Sequence, residues 1–156
     1  MPLARPHVDD VARAALDALA IPVTVASSVR DRDGRLLDFR IEFDNRAAAA
    51  WAGLPAGGMG GHLLTDLIPG MRAIGLWDTL VEVVTTGLPF RQREQPYEAA
   101  VDGGRAFAGV FDLAAIRLGD GYASAWSERP APGLAAPDLE AALREVARLV
   151  PILDAG

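Results

Sequence analysis

Residues 8–20 place Val8, Val11, Ala12, Ala15, Leu16 and Leu19 on one helical stripe, with Asp9, Asp10, Arg13 and Asp17 mostly elsewhere. The pattern predicts a short amphipathic helix. Ile21-Pro22 stops it, because a proline disfavours helical backbone in the residue before it. The period then drops from 3.6 to 2: residues 23–29 read as a β-branched strand, and Arg30-Asp31-Arg32-Asp33-Gly34 as a polar turn. Phe39, Ile41 and Phe43 interleave with Asp38, Arg40, Glu42 and Asp44, which predicts a strand with one buried face and one wet face.

A helical insert follows. Asn45 stands where a side-chain cap is wanted, ahead of the alanine run and Trp51 in residues 46–52, and Gly53 ends that segment. After the glycine cluster at 57–61 come a second short helix over 62–68, stopped by Pro69-Gly70, and a longer third one over 71–86. Gly87-Leu88-Pro89 provides its exit, and residues 90–99, 105–118 and 122–127 then read as three strands joined at glycine turns. Pro96 assigns the first of the three to a sheet edge. The expected fold class is α+β, five strands with a three-helix insert between strands 2 and 3. Pro130, Pro132 and Pro137 make 129–137 a stiff linker, and Leu139, Leu143, Val146, Val150 and Leu153 stripe a last helix over 138–156 that Pro151 interrupts.

Composition narrows the chemistry. The 156 residues are 51% hydrophobic, enough for one core. Cysteine is absent and every basic residue is Arg, which excludes disulfides, thiolate metal sites, cysteine nucleophiles, cysteinyl cofactor adducts and lysine Schiff bases. A net charge of −6 argues against nucleic acid or anionic lipid as partner. No apolar run approaches the roughly 20 residues of a membrane span, and the start lacks a signal-peptide pattern, so a cytoplasmic location is expected.

The ordered segments resemble the PAS (Per-Arnt-Sim) domain of bacterial sensors. The likeness is carried by Ala15-Leu16-Asp17-Ala18-Leu19, Asp33-Gly34-Arg35-Leu36-Leu37-Asp38-Phe39, Asn45-Arg46-Ala47-Ala48-Ala49, Gly61-His62-Leu63-Leu64, Leu67-Ile68-Pro69-Gly70, Gly87-Leu88-Pro89 and Gly119-Asp120-Gly121. The resemblance implies an antiparallel sheet, strands 2 and 3 at its edges, and a PAS core over 21–128. It also implies a small-ligand pocket, to which we assign Trp51, Leu64, Leu67, Leu76, Trp77, Phe107, Phe111, Ser124 and Trp126. The N-terminal segment, 1–20, caps the sheet or pairs two protomers through Val8, Val11, Ala15 and Leu19. The implied role is a sensory module, not an enzyme, that binds a small ligand or a protein partner. It would relay, as a homodimer, to a histidine kinase, cyclase or phosphatase in cis or in trans. Many members leave the last strand through Asp-x-Thr; here the stretch is Ser127-Glu128-Arg129-Pro130, which shifts the expected output towards surface contacts.

Each candidate for chemistry has a plainer reading. Haem-binding members carry their axial histidine on the third helix, where this chain has none, so haem is not expected and His62 is read as an exposed polar residue. The missing cysteine rules out covalent photocycles. Trp51, Trp77 and Trp126 could stack on a non-covalent flavin, but core packing explains them with fewer assumptions, and no cofactor is expected. Asp38, Glu42 and Asp44 are placed on the wet side of their strand, Ser27-Ser28 have no local base, and the 57–61 glycines lack the strand and lysine of a phosphate loop. The alternative is a small cone-shaped α+β enzyme or ligand-binding protein, which would require Asp112 and His62 to face one cavity.

Overall fold

A computed structural model describes residues 3–128 and 136–152. Its elements are α1 (Asp10–Asp17), β1 (Val23–Arg30), β2 (Leu36–Asp44), α2 (Arg46–Ala52), α3 (Leu64–Leu67), α4 (Leu76–Thr86), β3 (Phe90–Ala100), β4 (Ala106–Arg117), β5 (Gly121–Glu128) and α5 (Leu139–Leu149). The strands form one antiparallel sheet in the order β2-β1-β5-β4-β3. Residues 129–135 of the expected linker, including Arg129, Pro130 and Pro132, and Leu153 of the last stripe lie outside the described residues.

The sheet separates two apolar layers. On one face α2, α3 and α4 cover a cluster that includes Phe39, Ile41, Phe107, Phe111 and Tyr122. On the other, α1 and α5 cover Val23, Val25, Phe43, Ala123 and Ala125. α5 therefore lays Leu139, Leu143 and Val146 on the sheet of its own chain. Asp9 and Asp138 cap α1 and α5 by accepting from Ala12 N and Ala141 N.

Three helices start two or more residues later than periodicity predicts; α3, expected from residue 62, begins at Leu64. α1 begins at Asp10 because the Asp9 carboxylate takes the cap position, and α4 begins at Leu76 because Gly75, at φ 84°, holds a left-handed turn ahead of it. β2 departs from simple alternation as well. A bulge leaves Glu42 without an opposite residue between the Val25/Phe43 and Ala26/Ile41 pairs. The extra residue turns Phe43 to the α1/α5 face while Phe39 and Ile41 stay under the insert.

The wet-side placement of Asp38 and Asp44 is corrected for a related reason. Both are buried, at 8% and 3% exposure, because the insert folds back over the β2 edge. Residues 61–63 pair with that edge: Ile41 N donates to His62 O at 2.9 Å and Gly61 N to Ile41 O at 2.7 Å. Asp38 accepts from the backbone N–H and hydroxyl of Thr65 at the start of α3, and Asp44 from Met59 N and Gly60 N, both at 3.1 Å. The carboxylates satisfy loop donors that would otherwise be orphaned.

Candidate ligand pocket

Between the sheet and the insert lies a cavity of about 90 Å³. Alternation builds its floor. Thr24 on β1, Phe107, Phe111 and Leu113 on β4, and Tyr122, Ser124 and Trp126 on β5 all face the insert. The roof comes from Trp51 on α2, Leu64 on α3, Leu76 and Leu80 on α4, and the connecting residues Met59, Ile68, Met71 and Ile74. Of the nine residues expected here, seven line the cavity. Leu67 and Trp77 are buried in the same cluster but off its wall, and Trp77 packs instead on Phe39, with ring centroids 5.4 Å apart, beneath Arg72.

The wall is apolar, and no acidic or basic side chain is on it among the described residues. Its polar groups are few. Thr24 Oγ1 and Ser124 Oγ share a hydrogen bond of 2.7 Å, and Tyr97 donates from its hydroxyl to Gln92 Oε1 at 2.8 Å. Burial raises the Tyr97 phenol, and raises that of Tyr122 much further, with Asp38 adding to the effect, so both stay protonated near neutrality. Trp126 is 9% exposed, and its Nε1–H meets no acceptor among the described residues.

Trp51 joins this cavity to the end of the sheet. Its ring lies 4.9 Å from Phe107, 6.0 Å from Phe111 and 5.3 Å from Trp126 between centroids. The Nε1–H points the other way in bonding terms, donating to Glu128 Oε1 at 3.1 Å. Arg105 completes the group: its guanidinium lies 5.2 Å from the Trp51 ring centroid and pairs with Glu128 at 3.0 Å. Glu128 is the last residue of β5. Arg105 N also donates to Ala52 O at 2.9 Å, tying the β3–β4 turn to the end of α2, and a Cβ on the neighbouring Gly104 would sit 2.2 Å from that same oxygen.

The acid–base pair of the alternative reading does not converge. His62 is exposed beside the β2 edge, whereas Asp112 lies on the opposite face of β4 from Phe111 and Leu113. There Asp112 Oδ1 accepts from Glu94 N at 2.9 Å, supporting a β3 bulge in which Glu94 takes φ 55°. Asp44 is held above the ordinary carboxylate range by burial, although its amide hydrogen bonds pull the other way. Among the described residues no group of three His, Asp or Glu side chains is placed to hold a metal ion.

The expected dimer residues separate. Val8 is buried in its own chain at 5% exposure, Ala15 and Leu19 are half-buried, and Val11 is 74% exposed. Of the wall residues that sequence reasoning did not select, Tyr122 and Thr24 alternate in phase with Ser124 and Ala26 and were accessible to it. Met59 stands among glycines with no periodicity to place it.

No protein-family model and no curated protein matches the chain. Solved structures do. The PAS domain of a protein from Colwellia psychrerythraea is 13% identical with a TM-score of 0.52, covering 74% of this chain and 92% of that one. The PAS domain of BvgS from Bordetella pertussis is 17% identical with a TM-score of 0.51, covering 90% and 94%. A variant of RsLOV is 14% identical with a TM-score of 0.54, covering 86% and 79%. At such identities the likeness is one of fold, and the chain has the PAS fold. No helix among the described residues is long and apolar enough to cross a membrane.

Proposed function

We propose that this chain is a sensory signalling module whose cavity binds a small molecule and whose output is carried by the end of β5. The observation that supports this most is the position of Trp51, with one side of its ring system on the cavity wall and its Nε1–H on Glu128. A ligand that moves the ring changes the geometry of the Trp51-Arg105-Glu128 group, and with it the surface where the chain leaves the sheet. The partner in this reading is a signalling enzyme such as a histidine kinase, cyclase or phosphatase, reached in cis or in trans, and the chain itself is not catalytic.

The same dimensions speak against a large planar cofactor. A cavity of about 90 Å³ is well below the ~300–1,000 Å³ of pockets for drug-sized ligands. Haem has no histidine on the wall to ligate it. A homodimer remains part of the proposal, resting on Val11 and the half-buried Ala15 and Leu19, because Val8 packs within its own chain. Native mass spectrometry and absorbance of the full chain test the reading together. A colourless protein that takes up small neutral molecules at one site supports it; a visible absorption band from a tightly held chromophore overturns it.

A further inference from the structure

Resting on that pocket reading, we propose that the cavity selects a small neutral ligand of about four heavy atoms, with an apolar body and a hydrogen-bond acceptor directed to the Trp126 indole. Size sets the first limit. A cavity of about 90 Å³ is well below the ~150 Å³ apolar cavity that accommodates the six heavy atoms of benzene, and in proportion it takes about four, a three-carbon skeleton with one substituent atom.

Charge sets the second limit. With no acidic or basic side chain on the wall among the described residues, a carboxylate or ammonium would lose its hydration without gaining a counter-ion. The polar groups that are present set the third. Trp126 is 9% exposed, and its Nε1–H, which can only donate, has no acceptor among the described residues. Trp51 differs, since Glu128 already accepts from it. The Thr24–Ser124 hydrogen bond uses one of two hydroxyl protons and leaves the second for another acceptor. The indole N–H is thus a buried donor without a partner in an otherwise apolar space, which is costly. A carbonyl or ether oxygen supplies what the wall lacks. A ligand seated against Trp126 also lies against Trp51, 5.3 Å away between ring centroids.

Three probes of nearly equal shape test this on the ¹⁵N-labelled full chain: acetone, 2-methylpropene and isopropylammonium. The indole N–H resonance of Trp126 is assigned by its loss in Trp126→Phe. Acetone is expected to shift that resonance and to bind about 3- to 10-fold more tightly than 2-methylpropene, the range one hydrogen bond provides, while the ammonium does not bind. In Trp126→Phe the preference for the ketone disappears. Ser124→Ala is the second variant; it removes a donor, leaves the aromatic wall in place and narrows the same preference. Equal binding of ketone and hydrocarbon, or tighter binding of the ammonium, overturns the proposed ligand class and leaves the pocket reading standing. Failure of every probe to perturb any cavity residue overturns both.

Discussion

The indole Nε1–H of Trp51 donates to Glu128 Oε1 at 3.1 Å, and Arg105 pairs with the same carboxylate oxygen at 3.0 Å. A residue of the cavity roof and the last residue of β5 thereby share one polar group, although they are 77 positions apart in sequence. Replacing Trp51 with Phe keeps an aromatic ring against Phe107 and Trp126 while deleting the donor. Because Arg105 and Glu128 are partly exposed, at 37% and 44%, the loss of stability is expected to be less than about 1 kcal/mol. The response of Glu128 to cavity probes is expected to vanish. Denaturant unfolding and amide chemical shifts measured side by side check the two halves; a large destabilisation or an unchanged Glu128 response contradicts the assignment.

Asn45 is the other joint of the molecule. Fully buried, it accepts from Val23 N and Ala48 N and donates to Leu16 O and Ile21 O, binding the end of α1, the start of β1 and the start of α2 into one node. Asn45→Ala removes a helix cap and strands a buried N–H, for an expected loss of about 2–4 kcal/mol. A change below about 0.5 kcal/mol in denaturant unfolding would show that the node is dispensable.

Asp44 tests the corrected environment of β2. Its two oxygens accept from separate backbone N–H groups, so Asp44→Asn, similar in shape, retains one acceptor and turns an amide NH₂ towards a donor. The expected cost is about 1–3 kcal/mol at pH 7 despite the removal of a buried charge. If this aspartate faced water as simple alternation suggests, the substitution would be close to neutral in thermal or denaturant unfolding.

The pH response has two opposed parts. Burial pushes Asp120 up, but the paired Arg30 guanidinium, 2.9 Å away, outweighs it and holds the carboxyl below its ordinary range. A depressed carboxyl stabilises the fold above its unfolded value, near pH 4, and that contribution is lost as pH falls through the folded value. Asp44, raised by burial, has the reverse sign: its contribution is present below the unfolded value and is lost as pH rises through the folded one. Unfolding midpoints of Asp120→Asn and the parent chain are therefore expected to differ at pH 7 and to converge towards pH 3. A gap that widens on acidification would refute the pairing.

The sequence carried most of the fold because its strands alternate and its turns are marked by glycine and proline. The Asn45 cap, the Gly53 stop and the Pro96 edge strand were all legible from local chemistry. Of the seven expected residues that line the cavity, Phe107, Phe111, Ser124 and Trp126 were legible for the same reason, since β4 and β5 alternate on the insert side. What escaped depends on contacts distant in sequence. The Glu42 bulge that turns Phe43 over is fixed by pairing with β1, and the burial of Asp38 and Asp44 by the returning loop at 59–65. Trp51 and Glu128 meet only because the fold brings α2 to the end of β5.

The most direct test of the account follows the backbone amide of Glu128 and the indole N–H of Trp51 while the ¹⁵N-labelled full chain is titrated with acetone. Both are predicted to shift along the same saturation curve as the cavity residues Trp126 and Ser124. Saturation of the cavity resonances with Glu128 and Trp51 unmoved would contradict a link between pocket and strand end.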